Sequence, residues 1–155
     1  GTPLETLLGE LDSDVVVLRA RRGWKVEEAR RILVPIAGRG GHEPLLALLL
    51  GSLVRTADRE VTLLRVLTAD AAPEDVRRAE HDLSLLVSDD MRQRCRIEVV
   101  RHRDATEEVT RRAQQSDLVV LGVQRVRRRK KLFGDFTRQL ARRTDCPIVV
   151  ISRRG

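Results

Sequence analysis

The residues best suited to chemistry lie in one stretch, LGVQRVRRRKKLFGDFT, from Leu121 to Thr137. Gly122 and Gly134 bracket a run holding Arg125, Arg127, Arg128, Arg129, Lys130 and Lys131, and Asp135 and Thr137 follow the second glycine. Glycines at a strand end leave backbone amides bare, and a helix starting there adds the positive end of its dipole, which together make a phosphate cradle. Asp135 works against that, because a carboxylate beside a phosphate in a partly desolvated pocket repels it by more than a hydrogen bond's worth of about 1 kcal/mol. A capping role is the other use for Asp135, its carboxylate taking helix amides that would otherwise face a phosphate. Three readings of the basic run stand side by side. It is a solvated loop, since like charges repel; a contact for an anionic membrane surface, worth about 1 kcal/mol per base; or a site for another phosphorylated ligand, such as a cyclic dinucleotide held by arginines.

Other chemistries find less support. AGRGGHEP, residues 37–44, supplies Gly38 and Gly40 of a dinucleotide fingerprint, but Glu43 stands where the third glycine belongs. No glycine precedes Lys-Ser or Lys-Thr, so a Walker loop is absent. Ser52, Ser84, Ser88 and Ser116 are not on nucleophile elbows. Cys95 and Cys146 lack metal or redox spacing and read as reduced core residues, and His42, His81 and His102 are scattered. No catalytic constellation emerges, and the expectation is a protein that is not an enzyme.

The elements that must position the glycine-flanked stretch follow from an alternation of short apolar runs with longer amphipathic ones. RILVPIA (31–37), EVTLLRVL (60–67), RIEVVRH (96–102), DLVVLGV (117–123) and CPIVVIS (146–152) read as strands. Helices are expected over 43–57, over 73–93 behind Pro73 and two acids, over 104–115 behind Asp104, and from 132 to 144. Strands apolar on both faces demand a sheet covered on each side. The expected fold is α/β: an open, doubly wound, parallel five-stranded sheet, with an extra helix and strand at the N-terminus. In such sheets ligands sit beyond the strands' carboxyl ends where strand order reverses, which brings the loops after Ile36, Leu67 and Leu121 into play.

Residues 31–155 form the expected domain, and residues 1–30 an extension and connector. LLGELDSDVVVLRAR (7–21) echoes LARRTDCPIVVISRR (140–154) in layout. The first segment is either the closing helix and strand of a preceding copy of the fold, or an extension adding one edge strand. Trp24, in the connector, is expected to pack rather than bind.

The 155 residues suffice for one core, and the 41% apolar and 34% charged fractions fit a globular domain. The longest apolar run, PLLALLLGSLV, is too short to cross a bilayer, and the start shows no signal-peptide pattern. A net charge of +7 favours an anionic partner. Three aromatic residues, Trp24, Phe133 and Phe136, make a poor stacking platform, so nucleic acid is the weakest choice.

RILVPIAG at the opening of the sheet, VTLLRVL next, and SDLVVLGV with LFGDFTRQLARRTDCPIVVIS at its close resemble the universal stress protein family over residues 31–153. That resemblance implies a nucleotide site built from Pro35, Ile36, Ala37, Gly38, Val66, Leu67, Gly122, Val123, Arg125, Gly134, Asp135 and Thr137. Members that bind ATP carry G-x2-G-x9-G-[S/T] from the fourth strand into the last helix and an aspartate at the end of the first strand. Here Gly122 and Gly134 match, but Arg125 replaces the middle glycine and the spacer is one residue short. Asp135 takes the hydroxyl position, Phe136 replaces a small residue and Ala37 replaces the aspartate, while Thr137 fits. The expectation is a cradle without ATP or AMP as a working cofactor.

The N-terminal strand with GWKVEEARRILVPIAGRGG further resembles universal-stress-type cytosolic domains that follow the membrane segments of bacterial amino-acid permeases and cation–chloride cotransporters. This implies a regulatory domain on the cytoplasmic side of an inner-membrane protein, partnered by the transmembrane part of that transporter. The alternative is a free-standing stress protein that binds an adenine nucleotide. The family also implies a homodimer through the final strand, PIVVIS, unless VVVL covers that edge.

Overall fold

The computed structural model describes residues 13–20, 23–25, 28–36, 50–51, 53–54, 58–123 and 135–153. Six strands form one sheet: β1 (Ser13–Arg19), β2 (Arg31–Pro35), β3 (Glu60–Leu67), β4 (Cys95–Arg101), β5 (Leu118–Val123) and β6 (Ile148–Arg153). Their order is β1-β6-β5-β2-β3-β4. The five strands β2 to β6 run parallel, and β1 joins β6 antiparallel. The chain therefore steps outward from β2 to β4, crosses back, and continues through β5 to β6. Strand order reverses between β2 and β5, as a doubly wound sheet requires. Gly23, with a positive φ of 81°, turns the connector between β1 and β2.

Both faces of the sheet are covered because alternate strand residues are apolar on each. On one face Ile32, Val34, Val61, Leu63, Leu118, Val120 and Val149 pack with Leu50, Leu53 and Val54 of a helical stretch and with Leu83 of α1 (Pro73–Ser84). Trp24 is half-buried against this cluster, in the packing role expected of it. On the other face Leu33, Leu64, Val119, Leu121, Ile148 and Val150 meet Val109 and Ala113 of α2 (Ala105–Ala113) and Leu140 of α3 (Asp135–Arg143). Cys95 and Cys146 are free thiols buried in these clusters.

The strands fall within two residues of their expected bounds. Asp104 caps α2, its carboxylate accepting from the Glu107 amide at 3.1 Å. Pro73 opens α1, where Asp75 accepts from the Ala72 amide at 3.2 Å. The helix expected over 73–93 is shorter, and this is a correction: α1 stops at Ser84, and a separate 3-10 turn covers Asp89–Met91. Asp89 and Asp90 would have faced the negative end of the helix dipole. Instead they open the new turn, with the Ser88 hydroxyl bonded to Asp90. Of the helix expected over 43–57, residues 50, 51, 53 and 54 are helical, and the rest lies outside the described residues. The N-terminal helix expected before β1 lies outside them too.

That first helical stretch is anchored by side chains that composition does not advertise. Arg59, only 5% exposed, donates Nε–H to the Ala29 carbonyl and a terminal N–H to the Leu53 carbonyl, both at 3.1 Å. Arg94 donates to the Val54 carbonyl at 3.0 Å. Two cations thus meet backbone carbonyls along this stretch.

Candidate functional site

The sequence places its site at the carboxyl ends of β2, β3 and β5, and the topology brings those ends to the reversal point. Pro35 closes β2 and Ile36 follows it, Val66 and Leu67 close β3, and Gly122 and Val123 close β5 on the other side of β2. Asp135 is the first residue of α3 and Thr137 the third. Phe136 belongs to the apolar cluster that also holds Leu121 and Val66, and so seats the first turn of α3 on the sheet face that these strand-end residues build. Thr137 is 6% exposed and lies on the same stripe as the buried Leu140 and Thr144. Ala37, Gly38, Arg125 and Gly134, with the basic run Arg125–Lys131, lie outside the described residues.

One backbone feature shapes the crevice between β2 and β5. The Ile36 amide donates to the Leu64 carbonyl at 2.8 Å, so even-numbered residues at the end of β2 face β3. Odd-numbered residues, Pro35 included, face β5. Proline has no amide to give, and the β2–β5 ladder is registered only at Ile32–Leu118 and Leu33–Val119. By contrast β2 and β3 remain in register through Pro35–Leu64. The reversal point is thus left unzipped at its carboxyl end, where an exposed Gly122 presents backbone without a side chain.

The amino end of the crevice is sewn shut by Asp117. One of its carboxylate oxygens accepts the amides of Arg30 at 3.1 Å and Arg31 at 2.8 Å, while its own amide donates to the Arg31 carbonyl at 2.7 Å. The aspartate of the Asp-Leu-Val-Val-Leu-Gly run is therefore a clamp between β2 and β5. A cleft of about 600 Å³ near this end is lined by Trp24, Asp117, Arg143, Asp145 and Cys146 among others. It lies at the wrong end of the strands for the glycine-flanked loop. Burial pushes the Cys146 thiol up to about 11, with the Asp117 charge adding to it, and burial alone pushes Cys95 up to about 11. Neither sulfur is a nucleophile at neutral pH. Among the described residues no group of three His, Cys, Asp or Glu side chains is placed to hold a metal.

The arrangement is that of a crevice at a reversal point, without an acid–base pair or an activated nucleophile among the described residues. The sequence model of the universal stress protein family matches residues 28–152. The chain belongs to the universal stress protein family. A universal stress protein structure from Archaeoglobus fulgidus is 19% identical, with a TM-score of 0.61 over 79% of this chain and 93% of that one. The universal stress protein from the same organism in complex with dAMP is 18% identical, with a TM-score of 0.60 over 79% of this chain and 97% of that one. UspA from Lactobacillus plantarum is 20% identical, with a TM-score of 0.54, covering 79% and 97%. At these identities the likeness is one of fold. No curated protein matches the chain.

Proposed function

We propose that this universal stress protein domain is a non-catalytic regulatory and assembly module of a membrane transporter, of the amino-acid permease or cation–chloride cotransporter type. In this reading its phosphate cradle no longer takes ATP. The observation that carries the loss is Asp135 at the head of the described part of α3. The helix N-terminus that should greet a phosphate is headed by an acid in place of Ser or Thr, and Arg125 and Ala37 replace two further family positions. The transporter half of the reading rests on the resemblance of the connector and β2, and it makes the domain cytoplasmic, with the transmembrane part as partner. A phosphorylated ligand or anionic lipid at Arg125–Lys131 completes the proposal. No helix among the described residues is long and apolar enough to cross a membrane.

The unzipped end of β2 and β5 favours a second reading, a domain that still holds an adenine nucleotide through Gly122, Gly134 and Thr137. The dAMP complex of the Archaeoglobus relative supports it. Calorimetric titration with MgATP, AMP and cyclic di-AMP at near-physiological salt separates the two. Silence for ATP with binding of the cyclic dinucleotide is the expected result. Micromolar ATP binding returns the protein to the nucleotide-binding branch, and silence for all three leaves a protein or lipid contact. The transporter reading stands on its own test, the gene sequence upstream of Gly1. Ten or so apolar spans of about 20 residues are expected there.

A further inference from the structure

β1 and β6 are an unusual pair, because their sequences echo one another and their pairing is reciprocal. Laying Asp12 on Asp145 makes Val16 the counterpart of Val149 and Val17 the counterpart of Val150. In the sheet Val16 pairs with Val150, and Val17 pairs with Val149. Each residue therefore faces the counterpart of its neighbour, and the exchange is mutual. Any antiparallel pair has a local two-fold axis. This one has its axis in the middle of the echoed apolar runs VVVL and IVVI: Val15 faces Ile151, Val16 faces Val150 and Val17 faces Val149, and the match ends at a bulge that sets Arg19, in place of Leu18, opposite Ile148. An isologous contact between two copies of one strand has this form.

The edge so covered needs an occupant. Without β1 the outer edge of β6 would expose a row of unpaired amides and carbonyls on a strand whose Ile148, Val149 and Val150 are all buried. At the opposite edge β4 carries Arg96, Glu98 and Arg101, charges that discourage pairing with another chain. β6 has no such charge before Arg153. The two edges are thus managed by different means, one by charge and one by a supplied strand.

We propose that β1 is a built-in counterpart of β6: it fills, in the register that β6 of a second copy would take, the edge through which two copies of this chain would otherwise pair. The homodimer expected through the final strand and the β1–β6 pair then compete for one edge, and in the intact chain β1 holds it.

Light scattering of the whole chain at tens of micromolar, beside a Val16→Pro/Val17→Pro variant, tests this. Adjacent prolines remove an amide toward β6 whichever of the two positions donates. The intact chain is expected at monomer mass and the variant at twice that, and a peptide of residues 12–20 is expected to return the variant to monomer. An intact chain that is already dimeric overturns the proposal, as does a folded variant that stays monomeric. Hydrogen exchange on the unaltered chain covers the case of a variant that fails to fold. β1 amides are expected to be protected together with those of β6, and unprotected β1 amides in a monomeric chain overturn the proposal.

Discussion

Cys146 shows how a single residue reports its surroundings. Its sulfur donates to the Ser116 carbonyl at 3.4 Å, its amide donates to the Thr144 hydroxyl at 3.1 Å, and it sits beside the Asp117 clamp. Burial, and then the Asp117 charge, disfavour the thiolate and raise its pKa from 9.0 to about 11, and burial does the same for Cys95. The sign of the consequence follows from which state loses its protons first. The unfolded chain ionises near pH 9 and the folded chain near 11, so the contribution to stability is intact below pH 9 and is lost as pH rises toward 11. A shift of two units corresponds to about 2–3 kcal/mol per thiol. Urea midpoints measured at pH 8 and at pH 10.5 are expected to fall apart accordingly, and a Cys95→Ala/Cys146→Ala variant is expected to lose most of that difference.

Among the elements, the first helical stretch is held by its acceptors as much as by its apolar face. Arg59 is buried and bridges the Leu53 and Ala29 carbonyls, whereas Arg94 is an exposed residue on one carbonyl. Arg59→Met keeps the apolar stem and strips the donors, leaving buried carbonyls without them, and is expected to cost about 2–3 kcal/mol in urea unfolding. Arg94→Met is expected to cost under about 1 kcal/mol, since Arg94 is itself exposed and gives up a single, partly solvated hydrogen bond. An equal cost for the two would show that the burial of Arg59 has no part in its effect. Neither arginine was legible in the sequence. Their partners are backbone carbonyls up to 40 residues away, and an arginine-rich chain gives no hint of which guanidinium turns inward. The strands and α2 were legible because Val, Ile and Leu runs and the Asp104 cap act locally. α1 misled because Leu83, Leu86 and Val87 continue a helical stripe that Ser88, Asp89 and Asp90 interrupt.

At the scale of the whole molecule, topology and charge act on the same end of the sheet. The reversal point was legible from the alternation of elements alone. Its opening was not, because it depends on which side of β2 Pro35 faces, and that is fixed only once Ile36 is seen to bond Leu64. The net charge of +7 adds a field that draws anions generally, and ordinary screening of that field depends on ionic strength and not on the anion. A site discriminates. If the carboxyl end of β5 and the bases from Arg125 to Lys131 still hold phosphate groups, millimolar pyrophosphate is expected to raise the melting temperature above sodium chloride of matched ionic strength. Ligand at ten times its dissociation constant stabilises by about 1.4 kcal/mol, or about 3–6 °C in a domain of this size. Replacing Arg125, Lys130 and Lys131 by glutamine is expected to remove that excess and leave the chloride response in place. Equal responses to the two salts in the unaltered chain would mean that the charge is spread over the surface, and would leave the crevice between β2 and β5 without a phosphate to hold.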